Sequence, residues 1–190
     1  MASKVEIANR ALQILGAKRI VSLTEDSRNA RAINAAFEPV KRAELRKHPW
    51  CFAIRRVQLA ASSTAPAFTK GNSFPLPSDF IRLLPPDPED NMNDLDWNIE
   101  GRNIITNDSA PLDVRYIYDV TDVNEMDVLF RESLAAKLAE QLCEEITQSN
   151  TKVATAGVFY KDVLAEARRT NAIEKVSDEP PEDEWVTCRS

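Results

Sequence analysis

The spacing of apolar residues changes twice along this chain, and that change limits the fold more than any single residue does. Ile7, Ala8, Ala11, Leu12, Ile14 and Leu15, then Ala30, Ile33, Ala36, Phe37, Val40 and Leu45, recur at three- and four-residue steps, the spacing of one helix face. Between Trp50 and Val120 the step falls to two, as in Trp50, Phe52, Ile54, in Val57, Leu59, and in Leu112, Val114, Tyr116, Tyr118. The helical step returns with Phe130, Leu134, Leu138, Leu142 and Ile146, and again with Val153, Ala156, Tyr160, Val163, Leu164 and Ala167. This pattern predicts an α+β, mainly α, fold: an antiparallel four-helix bundle with a small antiparallel β-sheet inserted between helices two and three. Residues 1–50 and 123–176 make the bundle and residues 51–122 the insertion. Residues 177–190 form an acidic, extended tail with too little apolar surface to order itself.

Local signals set the boundaries. Ser3 and Glu6 form a capping box and Gly16 supplies a left-handed stop, so helix one spans about residues 4–15. In the connection Ala17–Thr24, the apolar trio Ile20, Val21 and Leu23 is expected to fold back onto the core. Helix two starts near Asp26 or Ser27 and runs to Lys47; Pro39 should kink it and Pro49 end it. The pair Arg55-Arg56 interrupts the alternation and suggests a β-bulge. Residues 61–77 are rich in turn formers, Phe80–Leu84 reads as a strand, and Asp96–Glu100 and Asn103–Thr106 pair as a hairpin across Gly101-Arg102. Leu112–Asp119 is the last strand. Asp127 caps helix three, and helix four runs from about Asn150 to Val176.

Composition removes whole classes of function. Four scattered glycines cannot build a phosphate-binding or dinucleotide loop, which needs them clustered. The single histidine, His48, precludes a poly-histidine metal site, and Cys51, Cys143 and Cys188 fit neither a disulfide framework nor zinc spacing, which suits a reducing compartment. No export signal or membrane span is expected, because Glu6 falls where a signal peptide would be apolar and no apolar run reaches about 18 residues. No catalytic, cofactor-binding or metal site is assigned. The acid-rich stretch Asp87–Asp96 resembles a calcium loop loosely, with Met92 in the glycine position and Asn98 in place of the bidentate glutamate. His48 and Cys51 lack the surroundings of a nucleophilic pair, and no G-x-S-x-G elbow occurs. Asp94, Asp96, Glu144 and Glu145 are the carboxylates that a glycan hydrolase would have to pair.

Charge is divided unevenly. The net value is −6, yet residues 1–60 carry 12 basic against 5 acidic side chains, and residues 61–190 carry 12 against 25. An acidic chain has no general attraction for nucleic acid, whereas portions of opposite sign can neutralise one another or dock copies head to tail. Lys41, Arg42, Arg46, Lys47 and His48 crowd the end of helix two, where cations complement the helix dipole or meet an acidic partner. The candidate protein-interface residues are Arg42, Arg46, Lys47, Trp185 and Arg189. Trp185 stands in the acidic tail, where an aromatic anchor needs a pocket on its own bundle or on a neighbouring subunit.

A family resemblance runs through the same residues. Ala8-Asn9-Arg10-Ala11-Leu12, Leu15-Gly16, Ile20, Ser22-Leu23, Asp26-Ser27 and Ala30 open it, and Leu45, His48-Pro49-Trp50, Phe52-Ala53, Arg55 and Leu59 continue it. Leu76-Pro77-Ser78-Asp79, Trp97, Glu100-Gly101-Arg102, Ile105-Thr106, Val114-Arg115-Tyr116-Ile117, Leu134-Ala135-Ala136-Lys137-Leu138-Ala139, Trp185 and Arg189 follow in order. Together they resemble tail tubular protein A of short-tailed bacteriophages, the head-to-tail adaptor or gatekeeper. The resemblance implies a virion protein at the head–tail junction, made in the bacterial host cytoplasm. It implies a twelve-fold ring of copies of itself between the portal protein and a tail nozzle protein of the tail tubular protein B kind. Genomic DNA passes through the lumen without sequence-specific binding, and no cofactor, membrane or catalytic residue is implied. Under that reading carboxylates line the lumen while the basic end of helix two faces protein, and the segment from Ser177 orders on docking. The alternatives are a tail-associated glycan-degrading hydrolase and a DNA-binding regulator, although Glu38 and Glu44 lie among the arginines that would read DNA.

Overall fold

A computed structural model of the chain describes residues 2–85 and 96–174. Helix α1 (Lys4–Leu15) begins at the capping box: Ser3 Oγ accepts from Glu6 N, and Glu6 Oε2 accepts from Ser3 N at 2.9 Å. It ends at Gly16, whose φ of +68° turns the backbone so that Ala17 N reaches the Leu12 carbonyl at 2.9 Å. Asn9 then fixes the connection, donating to the Ile20 carbonyl at 2.9 Å and accepting from Ile20 N at 2.8 Å. Ile20 is buried and Leu23 packs beside the core, but Val21 points to solvent at 90% exposure, contrary to expectation. Helix α2 (Arg28–Lys47), capped by Ser27, continues through Pro39. Ala35 and Pro39 are both exposed, so the side on which the proline removes a helix hydrogen bond is open to water.

Helix α3 (Val128–Thr147) starts where Asp127 accepts from Leu129 N and Phe130 N. Ser133, Leu134, Ala135 and Ala136 are consecutive and all buried, so this part of α3 has no solvent face. It serves as the hub. α1 lies along it in the same direction, with Ala2 N bonded to Asn124 and Arg10 to Glu132. α2 and α4 (Asn150–Ile173) run against it, with Arg28 reaching the Glu145 carbonyl and Tyr160 beside Lys137. Trp50 and Ala53 are buried at a short 3-10 turn, Cys51–Ala53, rather than in a strand; Trp50 meets Phe130 edge-on at 5.0 Å.

Among the described residues, six strands follow one another between α2 and α3: β1 (Ile54–Leu59), β2 (Asn72–Pro75), β3 (Phe80–Leu83), β4 (Asn98–Glu100), β5 (Asn103–Thr106) and β6 (Leu112–Tyr118). They form two antiparallel sheets of three strands, ordered β1-β6-β3 and β2-β5-β4. The expected simple four-helix bundle with one small sheet is therefore corrected on both counts. The helices gather around α3, and β2 gives the β4–β5 hairpin a partner of its own, so the hairpin does not extend the β6 sheet. Phe74 of β2 faces Ile104 of β5, and both are buried. That pair accounts for β2, which has too few apolar residues to show a period.

The expected bulge at Arg55-Arg56 is also absent: β1 pairs with β6 in unbroken register from Ile54↔Ile117 to Leu59↔Leu112. Alternation then places Arg55, Val57 and Leu59 on one face. Arg55 belongs there because its guanidinium covers the Tyr118 ring at 3.6 Å and pairs with Asp79 at 2.9 Å. The irregularity lies instead in β3, between Phe80 and Arg82. Buried residues of the helices and of both sheets join in a single apolar cluster.

Candidate protein interface

The cations at the end of α2 do more than complement its dipole. Lys41 points inward and is 1% exposed; its Nζ lies 2.7 Å from Glu38 and 3.0 Å from Asp119 Oδ1. The second contact is an ion pair without the directionality of a hydrogen bond. Arg42 reaches the other oxygen of Asp119 at 3.3 Å, and Lys4 of α1 reaches Glu38 at 2.6 Å. A buried ammonium is costly unless paired, and two carboxylates from different elements pair this one. Burial raises the Glu38 carboxyl pKa, but the hydrogen bonds and charges of Lys4 and Lys41 outweigh it and hold the group below its ordinary value. Asp119 directly follows β6, so the cluster ties α1 and α2 to the central strand of the β1-β6-β3 sheet.

One turn further along α2 the partners change. Arg46 donates to the Ile81 carbonyl, and Arg82 donates back to the Arg46 carbonyl at 3.2 Å, which fastens β3 to the helix. Glu44 is 1% exposed and accepts from Lys47 at 2.5 Å and from the Tyr160 hydroxyl of α4 at 2.8 Å. Its carbonyl accepts from Trp50 Nε1 at 3.2 Å. Lys137 sits 4.7 Å from the Tyr160 ring centroid and Lys47 5.8 Å. Burial, then the hydrogen bond and charge of Glu44, raise the Tyr160 pKa well above that of a free phenol. On the outer side a groove of about 400 Å³ runs between α2 and α3, lined by Pro39, Ala43, Glu44, Lys47, Lys137 and Gln141.

Arg42, Arg46 and Lys47 are thus brought together, each with an intramolecular partner. Arg42 and Lys47 keep 55% and 44% of their side chains in solvent, so that end of α2 still presents positive charge outward. Trp185 and Arg189 lie outside the described residues, as does Asp94. Most of the stretch Asp87–Asp96 lies outside them as well. Asp96 itself pairs with Lys70 at 2.8 Å. Glu144 and Glu145 are exposed on α3. No group of three His, Cys, Asp or Glu side chains among the described residues could hold a metal ion.

Compared with protein-family models and with curated proteins, the chain matches none.

His48 and Cys51 gain a companion that the sequence did not single out, Asn171 near the end of α4. The Cys51 thiol donates to the Asn171 carbonyl at 3.6 Å, while His48 Nε2 lies 3.0 Å from the Asn171 amide nitrogen. Both bonds are made to asparagine, so α4 is fastened to the corner between α2 and β1.

Many residues that carry the family resemblance sit at joints. Asn9 pins the α1–α2 connection, and Trp50 is buried where α2 turns toward the strands. Leu76 N donates to the Arg102 carbonyl at 2.8 Å, and Arg102 donates to the Pro77 carbonyl at 2.5 Å, linking the segment after β2 to the β4–β5 turn. Asp79 holds Arg55 and accepts from the Tyr116 hydroxyl at 3.1 Å. Burial, then this bond and the charge of Asp79, push the Tyr116 pKa up.

Sequence reasoning missed Lys41 as a buried group, read Tyr160 only as part of the apolar face of helix four, and gave no role to Asp119 or Asn171 in the site. The three-residue spacings Glu38–Lys41 and Glu44–Lys47 were the available signal for the first cluster.

Proposed function

We propose that this chain is a structural subunit of a short-tailed bacteriophage, a head-to-tail adaptor of the tail tubular protein A kind. It assembles as a ring between portal and tail nozzle, and no reaction is assigned to it. The observation that carries the reading is the placement of the resembling residues at joints: Asn9, Trp50, Pro77, Asp79 and Arg102 hold elements at fixed angles. A protein whose joints are fixed in this way is suited to assembly, because a closed ring tolerates little error in the angle between its two contact patches. The outward charge of Arg42 and Lys47 gives one patch a positive character suited to an acidic face on a neighbour.

The deciding experiment is native mass measurement of the purified full chain, alone and mixed with the portal protein encoded by the same genome. The expected outcome is a ring of about twelve copies, formed alone or on the portal. A chain that stays monomeric in both conditions at micromolar concentration, or that is absent from purified virions, overturns the reading. So does turnover of a glycan by the pure protein that is lost on changing Asp96.

A further inference from the structure

Two hollows beside α2 share a floor. One, of about 450 Å³, is bordered by Arg28 and Arg31, and the other, of about 400 Å³, by Glu44, Lys47 and Lys137. Ala35 and Ala36 line both, so the two form one groove along the α2–α3 contact. Ala35, Pro39 and Ala43 are exposed in it, which leaves apolar surface uncovered. At the Lys47 end three cations gather around Tyr160: Lys137 and Lys47 approach its ring, and Arg168 of α4 acts on its hydroxyl by charge. Two carboxylates answer them, Glu44 at 2.5 Å from Lys47 and Glu140 at 2.6 Å from Lys137. Arg168 Nε is buried and, among the described residues, has no hydrogen-bond partner. A buried donor in that state costs stability until an acceptor meets it, so the cluster suits an anion.

The same chain supplies one of matching chemistry. The described residues hold 22 of the 24 basic side chains but only 21 of the 30 acidic ones, so the acidity of the molecule is concentrated in residues 86–95 and 175–190. Residues 86–95 contain no aromatic side chain, whereas five of the seven residues from Asp178 to Glu184 are acidic and Trp185 follows them. The end of α4 leads to the groove. Asn171 Oδ1 accepts from Cys51 N at 2.8 Å and its amide donates to the Pro49 carbonyl at 3.3 Å, which sets the last turn of α4 beside the end of α2, near Lys47. The eleven residues from Glu174 to Trp185 can span about 36 Å, whereas the whole of α2 is about 30 Å long.

We propose that the groove between α2 and α3 binds residues 177–190 of its own chain, with the carboxylates of 178–184 along Arg168, Lys47 and Lys137 and Trp185 on the floor of Ala35, Ala36 and Pro39. A tryptophan buries roughly 150–250 Å², a fit for a shallow apolar floor. Attachment to the same chain gives the segment an effective concentration in the millimolar range, so a modest affinity keeps it docked. Arg42 lies outside the groove, on Asp119, and the docking does not depend on ring assembly.

The test is hydrogen exchange of the full chain read by mass spectrometry. Peptides covering residues 182–190 should exchange about ten-fold more slowly than an unstructured chain, the value for a segment docked about 90% of the time. Ala43→Glu places bulk and negative charge on the exposed groove wall, and the protection should fall below about two-fold. Ala154→Glu, the same change at an exposed position of α4 outside the groove, should leave it intact. Exchange at the unstructured rate in the unmodified chain overturns the proposal, as does protection that A43E does not reduce. Should A43E fail to fold, a second measurement decides. Ala35→Cys, oxidised with glutathione disulfide at micromolar protein, should form a disulfide with Cys188 inside one chain, identified by the mass of the linked peptides and a monomeric band on a non-reducing gel. A 35–188 link found only between chains, or none, overturns docking on the same chain. Neither result bears on the ring, which native mass measurement decides separately.

Discussion

The helices around α3 and the inserted strands are held by unlike forces. α3 contributes Phe130, Leu134, Ala135, Leu138 and Ala139, none measurably exposed, and the other helices press apolar faces against it. The β1-β6-β3 sheet shares that core through Ile117, with Val120 just beyond β6, but its fastening to α2 is polar: Lys41 and Arg42 on Asp119, Arg46 on the Ile81 carbonyl, Arg82 on the Arg46 carbonyl. The β2-β5-β4 sheet is thinner still, with Phe74 and Ile104 buried while every residue of β4 is exposed. Apolar burial has no direction, whereas charge pairs require particular positions. The helical part can therefore be strong without being exact in angle, and the polar contacts supply the angle at which the insertion projects.

Cutting α3 should break the helical side of this comparison most severely. Phe130→Ala removes a ring buried against Trp50 and Phe52 and should cost about 3–5 kcal/mol, a loss of roughly 10 °C in thermal midpoint. Calorimetry or circular dichroism reads it directly. A drop below about 1 kcal/mol would mean that α3 is not the hub.

The joint between the two regions comes next. Asp119→Ala leaves Lys41 buried with Glu38 as its remaining carboxylate and should cost about 2–3 kcal/mol in urea unfolding. Lys41→Met on the same background should recover much of that loss, because an apolar chain of similar length needs no partner. If the double variant is no more stable than Asp119→Ala alone, desolvation of Lys41 is not the governing cost.

How much of this was legible beforehand depends on the type of force. The ends of α1 follow from Ser3, Glu6 and Gly16, and the β4–β5 turn from Gly101, whose φ is +58°. These are local signals, written in neighbouring residues. β2 was not legible, since Asn72, Ser73 and Pro75 leave Phe74 alone to mark a strand whose reason is Ile104, thirty residues away in sequence. The bulge predicted at Arg55-Arg56 failed because an arginine counts as polar in a pattern, yet here its planar group covers Tyr118. The hub role of α3 was not legible in its helical spacing, because the burial of Ser133 beside Leu134, Ala135 and Ala136 depends on helices from distant parts of the chain. Of the interface residues, the cations were visible as a cluster, but their partners Asp119, Ile81 and Tyr160 come from three other elements that no local spacing brings together.

A smaller effect follows from pH. Hydrogen bonds and charges from Lys4 and Lys41 hold the Glu38 carboxyl pKa below its unfolded value despite partial burial, so its contribution is complete above about pH 4.3 and is lost as pH falls through the depressed folded value. Nearly half of the side chain is in solvent, and screening keeps the contribution under about 1 kcal/mol. Glu38→Gln should lower the thermal midpoint by about 2 °C at pH 7, and the gap should close toward pH 3. A gap that widens with acid would show that Glu38 is not the group held ionised.

The smallest effect on stability is expected at the far side of the insertion, and it sharpens the comparison from the other direction. Phe68 is 84% exposed, beside a groove of about 420 Å³ over β4 and β5 lined by Lys70, Asn98, Glu100 and Ile105. Removing an exposed ring forfeits almost no buried area, so Phe68→Ser should change stability by less than about 0.5 kcal/mol. If thermal denaturation instead shows a loss near that of Phe130→Ala, the isolated chain must already bury Phe68. The thin sheet would then be held by apolar packing after all, and the division between the two regions would fail at the point where it is most exposed to test.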